Sequence, residues 1–426
     1  MNVLIIGSGG REHALAIKIA ESRSTEKLFC LPGNAGISKV CELVKIKQDD
    51  HSAIIDFIKN NKIDFVVIGP EQPLSIGLAD ILRNENIVCF GPGKEAAKLE
   101  SSKAFAKYFM SKYKIPTASF QVFERAEKEK VLDYLTVSNY PIVIKADGLA
   151  AGKGVVIPQN YEEAKIIIDE FFEKNIFGSA ANKIVIEEFL EGEEASVFAI
   201  TDGNDFVVLS PAQDHKRIND NDEGKNTGGM GSYAPAPVIN SDILKEIEDK
   251  IIKPTIIGMK SEGNPFTGCL YCGLMITKNG PKVIEYNCRF GDPETQVVLP
   301  LIESDFLELL YKASTSQLKN YKLKLSNNTA VCVVLASKGY PDKYEIGKQI
   351  YGLESLDNET IVYHAGTNYI DNKLVTSGGR VLGITALGKN LKEAIDKVYA
   401  EVKKVNFDGC HYRSDIGRKG LKYLKA

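Results

Sequence analysis

A strand-like run, Ile142-Val143-Ile144, ends in Lys145 and passes into Ala146-Asp147-Gly148-Leu149-Ala150-Ala151-Gly152-Lys153-Gly154 before Val155-Val156 resumes an apolar pattern. A lysine closing an apolar strand holds a fixed cation at a sheet surface. The small-residue loop behind it can close over a triphosphate, giving backbone N–H groups while the ammoniums of Lys145 and Lys153 offset the negative charge. Gly152 and Gly154 flank the second lysine. The stretch is not a Walker A loop, because its spacing lacks the terminal Gly-Lys-Ser/Thr.

Further along, Ile184-Val185-Ile186-Glu187-Glu188-Phe189-Leu190-Glu191-Gly192-Glu193-Glu194 carries an apolar strand into a short acidic connector. Such a connector can offer backbone groups to an adenine edge and a carboxylate to ribose hydroxyls. In Val283-Ile284-Glu285-Tyr286-Asn287, Glu285 and Asn287 are two apart on a strand and face the same side. They are hard oxygen ligands suited to Mg²⁺ bridging ATP phosphates. Each segment alone is modest evidence; their order along one chain is much stronger.

The chain opens on another glycine-rich turn, Gly7-Ser8-Gly9-Gly10-Arg11-Glu12-His13. It has the position of a dinucleotide-binding turn but not its residues. Glu12 stands where helix–strand packing needs a small side chain, and the second strand ends in Leu31-Pro32-Gly33-Asn34, with no carboxylate for a ribose hydroxyl. Free backbone N–H groups at the helix start still suit a phosphate. Asn34, Gly69-Pro70-Glu71 and Gly91-Pro92-Gly93 end neighbouring strands and can converge on the same crevice.

The elements that must position these residues fall into three regions. Strand runs Val3–Gly7, Lys27–Leu31, Asp64–Gly69 and Ile87–Phe90 alternate with helical segments at Arg11–Ser22, Ser52–Asn60 and Ser75–Asn84. Gly-bearing turns end these strands, the layout of an open parallel sheet with ligands at the carboxyl ends. A long helix is expected from Lys94 to about Lys112, and Ile115-Pro116 marks a boundary. From Pro116 to about Ile302, strand runs predict a mostly antiparallel region with few helices. Within it, Asp214–Ser232 is expected to be a long loop, functional or disordered. Strands near Ala330–Ala336, Ile361–His364 and Val381–Ala386 and a helix at Leu391–Val402 form the last unit.

Composition limits the function classes. At 426 residues the chain suggests about three domains, and 44% hydrophobic with 26% charged residues is the balance of a soluble globular protein. No apolar run is long enough to cross a bilayer and the start lacks a basic leader, so no membrane is expected and the cytoplasm is the expected compartment. A net charge of −3 gives no support for a nucleic-acid surface. Eight cysteines in so long a chain are not a disulfide framework, and Cys269 and Cys272, three apart on a strand, point to opposite faces as packing residues. No His–Ser or His–Cys constellation supports a protein nucleophile.

The ensemble resembles the ATP-grasp superfamily, and within it the phosphoribosylamine–glycine ligase family. The resemblance rests on Gly9-Gly10-Arg11-Glu12-His13-Ala14, Pro32-Gly33-Asn34-Ala35-Gly36, Lys145–Gly154, Gln213-Asp214-His215-Lys216-Arg217, Asn226-Thr227-Gly228-Gly229-Met230-Gly231 and Arg289-Phe290-Gly291-Asp292-Pro293-Glu294-Thr295-Gln296. These segments stand in the family's order over essentially the whole chain.

The resemblance implies a multidomain α/β and α+β fold. It would comprise an N-terminal open parallel sheet (1–101), a central ATP-grasp domain (102–122 and 191–322), an inserted ATP lid (123–190) and a C-terminal mixed β/α domain (323–426). It further implies that Lys103 and Lys145 hold ATP phosphates, with Gly152, Lys153 and Gly154 on the glycine loop. Glu187 and Leu190 would border the adenine, Glu194 the ribose, and Glu285 and Asn287 would bind Mg²⁺ or Mn²⁺. Arg289 and Asp292 would line the acyl-phosphate and glycine site, Lys145 acting with them in catalysis. Asp214, Lys216, Arg217, Asn226 and Gly228 would fold over it, and Gly9, Gly10, Asn34 and Glu71 would meet phosphoribosylamine. The implied reaction joins glycine to 5-phosphoribosylamine at the cost of ATP, in a monomer or weak dimer. The rival readings are another ATP-grasp ligase or carboxylase, a dehydrogenase, and an inactive ATP-binding regulator.

Overall fold

The computed structural model describes residues 1–150 and 154–425. Five parallel strands form the first sheet in the order Glu42–Leu43, Lys27–Pro32, Asn2–Gly7, Phe65–Ile68, Cys89–Phe90. Val3, Leu4, Ile5 and Ile6 are all buried, as an inner parallel strand covered on both faces requires. Strand alternation sends Leu4 and Ile6 into one core with Ile251, Ile256 and Leu270. It sends Val3 and Ile5 into another with Leu15, Phe306 and Leu310. The parallel sheet therefore shares both of its faces with later parts of the chain.

The central antiparallel sheet runs Phe206–Val208, Glu193–Asp202, Thr267–Thr277, Gly280–Asn287. Cys269 and Cys272 lie on its third strand and fall into the two different cores, which bears out their reading as packing residues. A smaller sheet, Phe120–Glu124, Lys183–Glu188, Ile142–Ala146, Val155–Val156, carries the helices Lys128–Thr136 and Tyr161–Phe172. It closes a separate core of Val131, Ile144, Ile168, Phe171 and Ile186. The C-terminal sheet runs Gln213–Asp214, Gly231–Ala234, Thr329–Ala336, Arg380–Gly388, Ile361–His364, and the helix Leu391–Val402 packs on it through Leu391, Ala394, Ile395 and Val398. No helix of the described residues is long and apolar enough to cross a membrane.

Three expectations about elements are corrected. The region from 116 to 302 is not poor in helices. Tyr161–Phe172 is capped by Asn160, which accepts from the Glu163 N–H at 2.9 Å, and its apolar residues repeat at helical spacing; Ser241–Ile247 has a matching Asn240 cap. The segment Asp214–Ser232 is not one loop. Its two ends join the C-terminal sheet, and Arg217–Asn219 pairs with Glu223–Asn226 in a hairpin.

The expected long helix is broken in two, Lys98–Ser101 and Lys103–Lys112, by Ser102 in an extended conformation (φ −139°, ψ 109°). Ser102 Oγ caps the second helix by accepting from Phe105 N–H at 3.1 Å and itself donates to the Asp147 carboxylate at 3.0 Å. That carboxylate also accepts from Ala104 N–H at 2.7 Å. Asp147 thus holds the helix start from the loop after Lys145, where a negative charge is favourable. Asp147→Ala should cost about 1–2 kcal/mol, read as a lowered urea midpoint. An unchanged midpoint would remove Asp147 from this role.

Candidate active site

Lys145 lies on an inner strand of the smaller sheet and is only 4% exposed. Glu187 on the adjacent strand is its diagonal neighbour on the same face, since Val143 pairs with Glu187 and Lys145 with Val185. The Lys145 ammonium stands 2.9 Å from Glu187 Oε1, an ion pair without hydrogen-bond geometry, and donates to the Ile284 carbonyl at 3.0 Å. Glu187 Oε2 is 2.8 Å from the ammonium of Lys107, which also donates to Thr117 Oγ1 at 2.7 Å. Burial lowers Lys107 to about 8, against the pull of Glu187.

Lys103, one turn before Lys107, donates to the Gly148 carbonyl at 3.2 Å. Burial lowers its pKa, while Glu285 opposes that. Burial by itself would raise the carboxyl of Glu285, yet the ammoniums of Lys216, Lys145 and Lys103 together hold it below the usual range. The ion pairs of two of those lysines are made elsewhere: Lys145 with Glu187, and Lys216 with Glu194 at 2.6 Å. Asn287 is two residues beyond Glu285 on the strand Gly280–Asn287. A carboxylate and an amide oxygen on one strand face, among cations that attract phosphate, fit a divalent cation whose remaining ligands come from phosphate. Among the described residues no group of three or more His, Cys, Asp or Glu forms a self-sufficient metal cage. Gly152 and Lys153 lie outside the described residues; Gly154 is buried, and its carbonyl accepts from Ala146 N–H at 2.8 Å.

At the N-terminal turn, Glu12 folds back on its own helix start. Its carboxylate accepts from Gly9 N–H and from Arg11 Nε, both at 2.6 Å. A Cβ on Gly7 or Gly69 would lie 2.3 Å from the Glu12 side chain, so both positions need glycine. The Gly9 N–H expected to be free for a phosphate is thus occupied by the chain's own carboxylate. Nearby, Arg289 pairs with Glu71 at 3.3 Å and with Glu100 at 2.9 Å. Burial opposes charge on Glu71, but Arg289 and Arg11 hold its carboxyl down at about 2.

A cavity of about 690 Å³ opens between the carboxyl ends of the parallel sheet and the C-terminal unit; Gly9, Asn34, Asp292, Thr367, Ser377 and Arg380 line it. Gly10 borders Asp292 and Gln296, whose side-chain atoms lie 3.7 and 2.6 Å from where its Cβ would be. Asn34 shapes the wall. Its amide donates to Ser8 O and His364 O at 2.8 Å, and its oxygen accepts from the N–H groups of Gly36 and Ile37. Arg380 donates to Gly228 O at 2.6 Å and Asp292 O at 2.7 Å, and pairs with Asp292 Oδ2 at 3.2 Å. Burial disfavours a charged Asp292, but Arg380 and Arg11 keep its carboxyl below the usual range.

Between these two regions lie Asp214, Lys216 and Glu294. Burial would lower Lys216, but Glu194, Asp214 and Glu285 raise it well above the usual lysine range. Lys216 in turn holds Glu194 low, ahead of the opposing effect of burial. Burial and then Asp214 push Glu294 up to about 7, although Tyr271 OH donates to it at 2.9 Å and Ser196 Oγ at 3.2 Å.

Lys103, Lys145, Lys216, Glu187, Glu194 and Glu285 are thus brought into one charged cluster. Gly9, Asn34, Asp292 and, through Arg380, Gly228 belong to the cavity. Leu190 is half-buried in the connector after Glu187. Arg217 and Asn226 face each other across the hairpin, where Arg217 donates to Gly224 O at 2.7 Å, and Arg413 ties that hairpin to the C-terminal segment. Lys107, Glu100 and Arg380 escaped the sequence reading, and Glu294 stood in the Arg289–Gln296 segment without a role of its own. Lys107 carried one signal, its four-residue spacing from Lys103 on a helix; Glu100 and Arg380 are single charges in unremarkable segments.

Three segments of the chain match the parts of one family: the phosphoribosylglycinamide synthetase N domain over residues 1–100, its ATP-grasp domain over 101–295 and its C domain over 330–419. The chain is 49% identical to phosphoribosylamine–glycine ligase from Caldanaerobacter subterraneus, covering 98% of this chain and 99% of that one. It is also 49% identical to the ligase of the same name from Agrobacterium fabrum over 100% of both. The crystal structure of phosphoribosylamine–glycine ligase from Thermotoga maritima superposes with a TM-score of 0.84 at 37% identity, covering 97% of this chain and 100% of that chain. The chain therefore belongs to the phosphoribosylglycinamide synthetase, or phosphoribosylamine–glycine ligase, family.

Proposed function

We propose that the chain joins glycine to 5-phosphoribosylamine, giving glycinamide ribonucleotide, ADP and phosphate through a glycyl phosphate intermediate. It is an ATP-dependent carbon–nitrogen ligase of its family. The reading of its site is carried by one observation: the buried ammonium of Lys145 stands 2.9 Å from Glu187 and donates at 3.0 Å to the Ile284 carbonyl, next to Glu285 on the strand that ends in Asn287.

In this reading the smaller sheet, 123–190, is a lid over the nucleotide. It is flanked by a central domain (102–122 and 191–322), an N-terminal domain (1–101) and a C-terminal domain (323–426). The connector Glu187–Leu190 borders the adenine through its backbone, since both Glu187 oxygens are engaged by lysines. Glu194 has one oxygen held by Lys216 and presents the other to the ribose. Glu285 and Asn287 hold Mg²⁺ or Mn²⁺, which when bound screens the charge of the terminal phosphates. Glycine's carboxylate attacks the γ-phosphorus while Lys103 and Lys145 offset the charge moving onto the phosphate oxygens. Arg289, fixed by Glu71 and Glu100, and Asp292, fixed by Arg380, line the glycyl phosphate. The amine of phosphoribosylamine, entering from the cavity, attacks the acyl carbon and phosphate leaves. A closed lid keeps water from the acyl phosphate.

Glycine labelled with ¹⁸O in its carboxylate tests the chemistry. One carboxylate oxygen bridges carbon and phosphorus in the intermediate and leaves with phosphate, so each turnover should yield one labelled phosphate beside ADP. Label in AMP with release of pyrophosphate, or unlabelled phosphate, would overturn the acyl phosphate. ATP cleavage that needs neither glycine nor phosphoribosylamine would favour another ATP-grasp activity.

A further inference from the structure

We propose that Lys107 is a positioning residue for ATP: by sharing Glu187 with Lys145, it lets Lys145 turn its ammonium to the triphosphate without stranding a buried carboxylate. This rests on the reading of Lys145 as a phosphate ligand.

Lys107, Glu187 and Lys145 are 2%, 4% and 4% exposed, and they form a row of two cations around one anion. The two carboxylate oxygens are divided, Oε2 to Lys107 at 2.8 Å and Oε1 to Lys145 at 2.9 Å. Withdrawing one partner from a buried pair is strongly unfavourable, because it leaves an uncompensated charge in a poorly solvated place. With Lys145 and Glu187 alone, a phosphate drawing Lys145 away would leave the Glu187 carboxylate buried without a partner. With Lys107 present, Glu187 keeps a partner, and the row retains one net positive charge for the nucleotide.

The geometry favours Lys107 as the cation that stays. Its ammonium is held a second time by Thr117 Oγ1 at 2.7 Å, and that hydroxyl donates to Val283 O at 2.7 Å. Among the described residues Lys145 has the Ile284 carbonyl, at the longer distance of 3.0 Å, as its other partner. Lys107 comes from the helix Lys103–Lys112, and Glu187 and Lys145 come from the smaller sheet, so the row also joins those two elements.

Calorimetric titration with AMP-PNP and Mg²⁺ at neutral pH tests this. Lys107→Met should weaken binding at least tenfold, because Lys145 is then locked to Glu187. The double variant Lys107→Met/Glu187→Gln should recover most of that loss, since Lys145 no longer faces a buried carboxylate. In steady-state assays Lys107→Met should raise KM for ATP more than it lowers kcat. Wild-type affinity in Lys107→Met, or a double variant weaker than the single one, overturns the proposal; a purely structural role predicts the second result. Lys145→Met separates the two readings: if it binds AMP-PNP like the wild type, the assignment of Lys145 fails, whatever Lys107 does. Circular dichroism melts establish that each variant folds. Should Lys107→Met not fold, Lys107→Gln, which keeps a donor toward Glu187 but no charge, carries the same comparison.

Discussion

Glu285→Gln should lower kcat by about 10²–10³-fold at limiting Mg²⁺, the scale on which removal of one preorganised charge acts at a reacting centre, while leaving nucleotide affinity nearly intact. Glu285 is the negative centre among the ammoniums of Lys103, Lys145 and Lys216. Taking its charge away deprives a divalent cation of its one carboxylate ligand on that strand. The lysines keep their attraction for phosphate, and with one anion fewer among them they hold the triphosphate at least as well. The signature is therefore a split: turnover collapses, binding does not. Raising Mg²⁺ should restore part of the turnover, because a weakened site is refilled by mass action. Asn287→Ala should act in the same direction but less, since an amide oxygen contributes no charge. Steady-state rates over a Mg²⁺ series, set beside calorimetric titration with AMP-PNP, provide the check. Near-normal kcat for both variants at limiting Mg²⁺ would remove this pair from the metal site.

Arg380→Met is expected to reduce kcat/KM for phosphoribosylamine by about 10²-fold or more, in line with the roughly 2–5 kcal/mol lost when one member of a desolvated charge pair is truncated. Arg380 reaches from the C-terminal sheet to two loops at once, donating to Gly228 O and Asp292 O and pairing with the Asp292 carboxylate. Without it, Asp292 keeps Gln296 as a hydrogen-bond donor at 2.8 Å but loses its nearest cation. Both loops then lose the group that sets their spacing at the cavity wall. Affinity for AMP-PNP should be unchanged, because the lysine cluster lies on other elements. Arg380→Lys should rescue little, since a single ammonium cannot reproduce a planar fork that meets three oxygens. An unchanged KM for phosphoribosylamine in a folded Arg380→Met protein would contradict this role.

Both experiments probe residues that differ in how visible they were beforehand. Glu285 and Asn287 could be picked out from spacing alone, because a strand turns alternate residues to one side and hard oxygens in that pattern suggest a cation. Arg380 carried no such mark: its three acceptors lie 88 and more positions away in the chain. The roles of Lys107 and Glu294 were likewise not legible, since one depends on a carboxylate from a distant strand and the other on burial beside Asp214.

Local periodicity and local chemistry therefore settled much of this protein from the sequence alone. Four of the five strands of the parallel sheet, the helix Leu391–Val402, the packing roles of Cys269 and Cys272 and the Lys145, Glu187 and Glu285 segments all follow from patterns a few residues long. The tertiary structure alone decided that the helix is interrupted at Ser102, which backbone N–H group Glu12 consumes, and which lysines share Glu187. Those outcomes depend on desolvation and on charges from distant segments, and neither exists until the chain is folded.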